Sequence, residues 1–494
     1  MKTPIDLSLV ASTPGCRVAW LRFGFLAVLL ALFVVLPLAR GAVLQVDFVR
    51  TNGVFRALHG VNKGPLGAGG LMDLTEQHRT LGIPFTRLHD CHWPNPDVVD
   101  IHVLFPDFNA DPEKPESYDF TLTDEYLAAI RATGAQIVFR LGESIEHTKT
   151  KRFVHPPKDF EKWTAICLGI IRHYNEGWAN GFHHGIRYWE IWNEPENRPV
   201  MWTGTDEEFL RLYSTAARGI KSRHPDLKVG GPAFGHSGQL VKGTFKPSEF
   251  VLKFLERCRR DGAPLDFMSW HCYTDNSAEL MVRAKAIRAL LDAQGFPKAE
   301  SHLNEWNYLP GNSWNGLSKS GTGEVRQKFY DEMGGAPGAA FIVAALLELQ
   351  DAPVEVCNFF HGETGGFGLF NENGVPLKSY HAMRAFRELL DTPQRVEARG
   401  SVAGEFAISA GVASSRRSAT IVLSNTRHED AQQRVELRHL PWRNATVHEV
   451  RILDGERNLN VVERGTNVAI GAIDLRLKPS SVAVITLQSM TDGK

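Results

Sequence analysis

The stretch Tyr188-Trp189-Glu190-Ile191-Trp192-Asn193-Glu194-Pro195 is an apolar run too short for a helix, and it ends on a carboxylate. A second run, Ser301-His302-Leu303-Asn304-Glu305-Trp306-Asn307, ends the same way. Both read as β-strands presenting Glu194 and Glu305 at their C-terminal ends. In a chain with 56 acidic residues a single Glu is by default a solvated surface charge. Placement sets these two apart: each stands beside Trp and Asn, which stack on sugar rings and hydrogen-bond hydroxyls. Two carboxyl groups held in one pocket suffice to break an acetal. One protonates the leaving oxygen and the other meets the positive charge at the sugar carbon, so the chemistry calls for no metal and no cofactor.

Outward from these two runs, strand-like segments recur at 58–62, 85–90, 136–141, 187–194, 228–232, 267–273, 301–305 and 355–360. Helical patterns fall between and after them at 123–133, 159–174, 206–223, 247–260, 278–293, 336–350 and 378–390. Eight such units predict a closed (β/α)8 TIM barrel rather than an open doubly wound sheet. In that fold the active site gathers at the C-terminal strand ends, where Glu194 and Glu305 would close the fourth and seventh strands. Past 392 the helical period gives way to short alternating segments at 419–423, 434–437, 447–452, 468–473 and 482–487, the pattern of a small β-sandwich. The expected domains are a leader or anchor at 1–41, the barrel at 42–392 and the sandwich at 393–494, with the early strand 43–49 joining the sandwich. No catalytic constellation is visible past 392, so the sandwich reads as a buttress for the barrel.

The 494 residues carry a formal net charge of -1, which gives no electrostatic footprint for nucleic acid, and nothing resembles a phosphate-binding Gly-rich loop. The apolar run 23–39 is preceded by Lys2, Arg17 and Arg22 and followed by Ala39-Arg40-Gly41, which reads as a secretory signal, with an uncleaved membrane anchor as the alternative. Either reading puts the bulk of the chain outside the cytoplasm, secreted, periplasmic or extracellular. Cys16 falls before this run; Cys91, Cys167, Cys258, Cys272 and Cys357 match neither a zinc site nor a disulfide framework and read as buried small residues, with a Cys91–Cys272 pairing left open. His89-Asp90-Cys91-His92 lacks a fourth metal ligand at matching spacing. Oligomeric state is not legible.

The run Trp189 through Pro195, the Glu305-Trp306-Asn307 triplet, His59-Gly60-Val61-Asn62, Arg87-Leu88-His89-Asp90 and Gly365-Gly366-Phe367-Gly368-Leu369 together resemble glycoside hydrolase family 39 from about residue 43 onward. The resemblance implies a retaining (β/α)8 glycosidase of the β-xylosidase and α-L-iduronidase kind, acting on oligo- or polysaccharide. It makes Glu194 the general acid/base and Glu305 the nucleophile. Arg87 and Tyr273 are then expected to donate to Glu305, with His271 a further pocket residue. Asn193 resembles a ligand of the sugar 2-hydroxyl, which requires a bend or bulge, because a regular strand would point Asn193 and Glu194 to opposite faces. His89, Trp306 and Phe359 are expected to shape the sugar subsite, with Trp93, Trp202 and Trp314 as its walls. Glu190, at even spacing from Glu194, is expected to face the barrel interior and need a buried partner such as Arg140.

A β-xylosidase-like enzyme is the first reading of the substrate. Asn358-Phe359-Phe360-His361 lacks the Trp that often floors such a sugar site, and the long segments 93–118 and 309–323 are placed to set specificity. The rivals are an α-L-iduronidase-like enzyme, which would need cationic groups beyond Arg87 and Arg140, and an endo-acting enzyme on exopolysaccharide. A carbohydrate-binding barrel without hydrolysis is the reading from another class, and it would have no use for a general acid.

Overall fold

Eight parallel strands close into a barrel in chain order: Gly60–Asn62, Phe85–Arg87, Gln136–Leu141, Tyr188–Ile191, Lys228–Phe234, Phe267–Thr274, Glu300–Tyr308 and Val356–Phe359. The last strand closes the ring on the first, with Asn358 opposite Gly60. The structure, a computed structural model, describes residues 43–91, 95–318 and 321–490. The apolar run 23–39, Cys16, His92 and Trp93 lie outside them.

The helices form where sequence and caps agree. Phe160–Glu176 starts on Asp159, whose side chain accepts the N–H groups of Glu161 and Lys162, and Asp206–Arg223 starts on a Thr205–Glu208 capping box. The latter buries Phe209, Leu212, Tyr213, Ala216, Ala217 and Ile220, a stripe at helical spacing that lies against the barrel. All seven expected helices are present, with ends within three residues. Three others among the described residues, Thr75–Leu81, the single turn Ile101–Leu104 and Gly323–Gly334, gave no clear period in the sequence.

The C-terminal part is a nine-stranded sheet whose hydrogen-bonded order includes the early strand Val43–Val54. That strand runs antiparallel to Gln394–Arg399, with Gln45 opposite Arg399, and parallel to Ala431–Arg438, with Val43 opposite Arg434. The sheet doubles over into a sandwich. One core gathers Val435, Ile473 and Leu475 from one end of the strand order, Val450 and Ile452 from the other, and Ile421 and Ile485 from the middle. The expected strand at 468–473 is misplaced: Val468 is 83% exposed in a turn between Asn458–Asn467 and Ala472–Leu477. Asn458–Asn467 is an edge strand with Val461 and Val462 exposed, so alternation could not mark it.

Helix Ala336–Glu348 has no polar face. Phe341, Val343, Leu346 and their neighbours are all buried, because the helix lies between the barrel strand Glu300–Tyr308 and the sandwich strands Phe406–Val412 and Ser418–Asn425. The Ser424 hydroxyl donates to the Ala340 carbonyl at 2.7 Å, tying helix to sheet. Among the described residues no single helix is long and apolar enough to cross a membrane. Cys91, Cys167, Cys258, Cys272 and Cys357 are all buried, and no disulfide joins Cys91 to Cys272.

Candidate active site

Two breaks in strand regularity bring the acidic residues together. In the fourth barrel strand Trp189 faces the helices, stacked on Phe139 at 4.8 Å, while Glu190 points inward. The backbone then turns left-handed at Trp192 (φ 72) and Glu194 (φ 44). Trp192 thereby packs outward against Trp163 and Trp202, while Asn193 and Glu194 both reach the barrel mouth. This is the bend that the adjacent pair required. In the seventh strand the register slips by one: Leu303 lies opposite Trp270 but Glu305 opposite His271. Asn304 is the extra residue of a bulge, so Asn304 and Glu305 turn inward in succession and Trp306 turns out.

Arg87 organises the interior. Its Nε donates to Glu190 at 2.6 Å, Nη1 to Asn62 at 3.0 Å and Glu305 at 3.3 Å, and Nη2 to Asn193 at 2.6 Å, with no exposure to solvent. Glu190 completes its set with Asn304 Nδ2 at 2.5 Å. The expected partner Arg140 turns the other way, to Asp100 Oδ1 at 2.7 Å and the Ser144 hydroxyl at 3.1 Å. Arg87 reaches across the barrel interior and, with Asn304, already satisfies Glu190.

Donors surround Glu305. Besides Arg87, the Tyr273 hydroxyl donates to its Oε1 at 2.6 Å, and His89 Nε2 lies 3.3 Å from Oε2. Burial first, then the Glu305 charge, pushes the Tyr273 hydroxyl well up, which keeps it a proton donor. Burial, with the cations Arg87 and Lys63 nearby, holds His89 well below the usual imidazole range and therefore neutral. Glu194 is more open, its side chain 17% exposed, with Oε1 2.7 Å from His271 Nδ1 and Oε2 accepting from Asn197 Nδ2 at 3.1 Å. His271 stands between the two carboxylates, its Nε2 3.7 Å from Glu305 Oε2. Burial alone would lower its pKa; the charges of Glu305 and Glu194 outweigh it and raise it. One oxygen of each carboxylate and a ring nitrogen of His271 lie within 4.8 Å of one another.

A second group, Asp100, His102 and Glu143, also converges near the mouth. Asp100 already accepts from Arg140, the Ser144 N–H at 2.7 Å and the Ser144 hydroxyl at 2.9 Å, and burial pushes the Glu143 carboxyl up to about 7, so this donor set suits hydrogen bonding better than a cation.

Of the expected subsite residues, Arg87, His89, Asn193, His271 and Tyr273 are brought together with Glu194 and Glu305. Trp306 and Phe359 are not: both are buried on the helix side, 5.4 Å from each other, and Trp306 also meets Phe341. The neighbour Phe360 takes the inner position, 5.7 Å from His89 and 6.4 Å from Tyr273. Trp202 is core, and Trp314, 48% exposed, meets Tyr273 edge-on at 5.0 Å. Lys63 went unread. It sits 4% exposed, its ammonium 4.7 Å over the Phe360 ring and 3.9 and 3.8 Å from Asp90 and Glu363. A charged residue directly after the first strand was the signal available for it.

The sequence model of the glycosyl hydrolases family 39 matches residues 87–438. A β-xylosidase from Caldicellulosiruptor saccharolyticus is 28% identical over 270 residues, 48% of this chain and 48% of its own length. Another from Geobacillus stearothermophilus is 28% identical over 330 residues, 58% of this chain and 60% of its own. The chain thus spans about half the length of the curated relatives it matches. A glucosidase from Croceicoccus marinus superposes with a TM-score of 0.75 at 24% identity, covering 91% of this chain and 99% of that one. A monomeric β-xylosidase from Caulobacter crescentus CB15 superposes with 0.67 at 17%, covering 91% and 100%. These two share the fold.

Proposed function

The chain belongs to glycosyl hydrolase family 39, and from that premise we propose that it is a retaining, β-xylosidase-like glycoside hydrolase with Glu305 as nucleophile and Glu194 as acid/base. The observation that carries this reading is that Glu194 and Glu305 share one pocket beside His271, with one oxygen of each carboxylate within 4.8 Å of the other. Retaining enzymes hold the pair about 5–5.5 Å apart, whereas inverting ones need about 6.5–9.5 Å to admit a water.

In the first step a Glu305 oxygen bonds to the anomeric carbon as the bond to the leaving oxygen breaks, and Glu194 gives that oxygen its proton. In the second, Glu194 takes a proton from water, the water oxygen bonds to the anomeric carbon, and Glu305 leaves as a carboxylate. Arg87 and Tyr273 donate to the two Glu305 oxygens and orient the carboxyl group for attack. Asn193 has its Oδ1 occupied by Arg87, which leaves its Nδ2 to meet a sugar hydroxyl. His271 links the two carboxylates and fixes the side chain of Glu194.

The names of the matched relatives favour a β-xyloside. Lys63 does not argue for a uronide, since Asp90 and Glu363 flank its ammonium and would repel a substrate carboxylate there. The run at 23–39 supports action outside the cytoplasm. Incubation with an activated 2-fluoro-β-xyloside is expected to leave a covalent label on the Glu305 peptide, absent in Glu305→Gln, and proton NMR of early product is expected to show retention. Inverted product, or a label elsewhere, overturns the assignment.

A further inference from the structure

The fifth barrel strand Lys228–Phe234 ends directly before Gly235 and His236. A β-carbon on Gly235 would lie 2.4 Å from Glu194 Oε1, 2.6 Å from its carboxyl carbon and 3.0 Å from its Cγ. Gly235 is not among the residues with positive φ, so its conformation does not demand glycine. Its neighbour does. The bare Cα forms one wall of the space in which the Glu194 carboxyl lies, and His271 Nδ1 and Asn197 Nδ2 hold the two oxygens on the other sides.

The surrounding backbone is stitched and has little room to yield. The Glu194 N–H is shared between the carbonyls of Pro232 and Ala233 at 3.2 and 3.1 Å, and the Ala233 N–H donates to the Ser269 hydroxyl at 2.8 Å. The His236 N–H donates to Glu196 Oε1 at 2.8 Å, while the other oxygen of Glu196 is buried without a hydrogen-bond partner. Two residues beyond the acid/base, the same loop therefore reaches across and holds the chain next to Gly235. When a methyl group is added there, the part free to move is the end of the Glu194 side chain.

We propose that Gly235 is a positioning residue for Glu194: its missing side chain lets the carboxyl lie against the end of the fifth strand within reach of His271, and the Glu196–His236 bond keeps that backbone in place. This rests on the acid/base reading of Glu194. It separates two requirements that a Glu194 substitution removes together, the presence of the carboxyl group and its location.

The test is Gly235→Ala, assayed on aryl β-xylosides of graded leaving-group ability. General acid catalysis contributes about 10²–10⁴-fold, and a displaced acid forfeits part of it, so kcat/KM on poor leaving groups is expected to fall roughly 10–100-fold and on a dinitrophenyl glycoside less than about 3-fold. Labelling of Glu305 by the 2-fluoro glycoside and the thermal midpoint are expected to stay near wild type. Glu194→Asp draws the carboxyl back from the added methyl, so the Gly235→Ala penalty is expected to shrink in that background, a coupling read from the double-mutant cycle. Equal loss on all leaving groups, no loss at all, or strict additivity with Glu194→Asp overturns the proposal. If Glu194→Ala itself shows no leaving-group dependence, the acid/base reading has failed. If it does while Gly235→Ala does not, only the positioning role has failed.

Discussion

Arg87 answers Glu190, Asn62, Glu305 and Asn193 with one guanidinium, and no lysine can reproduce that fork. Arg87→Ala strands Glu190 in a solvent-free interior, for which about 3–5 kcal/mol is the expected cost, measured as a lower denaturation midpoint. Arg87→Lys is expected to keep part of the stability and still lose roughly 100-fold in kcat/KM, because the nucleophile and Asn193 both lose an oriented donor. Glu194→Ala is expected to turn over dinitrophenyl xyloside slowly and ordinary xylosides hardly at all, with azide restoring part of the rate by attacking the glycosyl intermediate; equal loss on both substrates would count against its role. At this scale the sequence singled out Glu194, Glu305, His271 and Tyr273 at strand ends, and the fold places the four side chains together. The sequence was read badly where facing decides. Trp306 follows an inward Glu305, and of the neighbours Phe359 and Phe360 only the second faces the site, an outcome set by where the eighth strand stops.

The barrel strands carry a second ionic group at the end opposite the mouth. There Glu300 accepts from the Tyr188 hydroxyl at 2.9 Å, lies 3.0 Å from His302 Nε2 and 3.4 Å from Lys228. Burial alone would raise its pKa; His302, Tyr188 and Lys228 outweigh it and lower the carboxyl from 4.5 to about 2. A depressed carboxylate stabilises the fold fully above about pH 4.5, and the contribution, on the order of 3 kcal/mol, is lost as pH falls through 2. Glu300→Gln is therefore expected to unfold at lower urea than wild type at pH 7, with the difference closing between pH 4.5 and 2. Helix Ala336–Glu348 shows the converse kind of dependence, purely apolar. Leu346→Ala is expected to cost about 2–5 kcal/mol, read from urea melts. Its helical nature was plain in the sequence, whereas its position between two layers was not, because a run apolar on every side names no face.

For the molecule as a whole, eight strand-like runs with helical patterns between most of them made the barrel legible, and the loss of helical period after 392 made the sandwich legible. The doubling of one nine-stranded order into two layers was not, since it depends on pairings between strands hundreds of residues apart. Barrel and sandwich meet through helices Ala336–Glu348 and Lys378–Arg387, and the N-terminal strand Val43–Val54 pairs within the sandwich. Ending the chain at Thr392 uncovers helix Ala336–Glu348 and leaves Val43–Val54 without partners. Such a truncated chain is expected to aggregate, and the full chain to melt in a single calorimetric transition.

Because Val43–Val54 pairs with Gln394–Arg399 and Ala431–Arg438, this strand leaves the ribosome long before either partner and is among the last to be completed. At roughly 5–20 residues per second, it waits about 20–70 s with both edges open while the barrel is still being synthesised. An unpaired strand of this length invites wrong neighbours. Nascent chains therefore have a window of vulnerability that the finished protein does not share, and a holding chaperone that covers residues 43–54 during translation would protect the yield. Pulsed hydrogen exchange during refolding is expected to find the amides of this strand protected last, after those of the barrel.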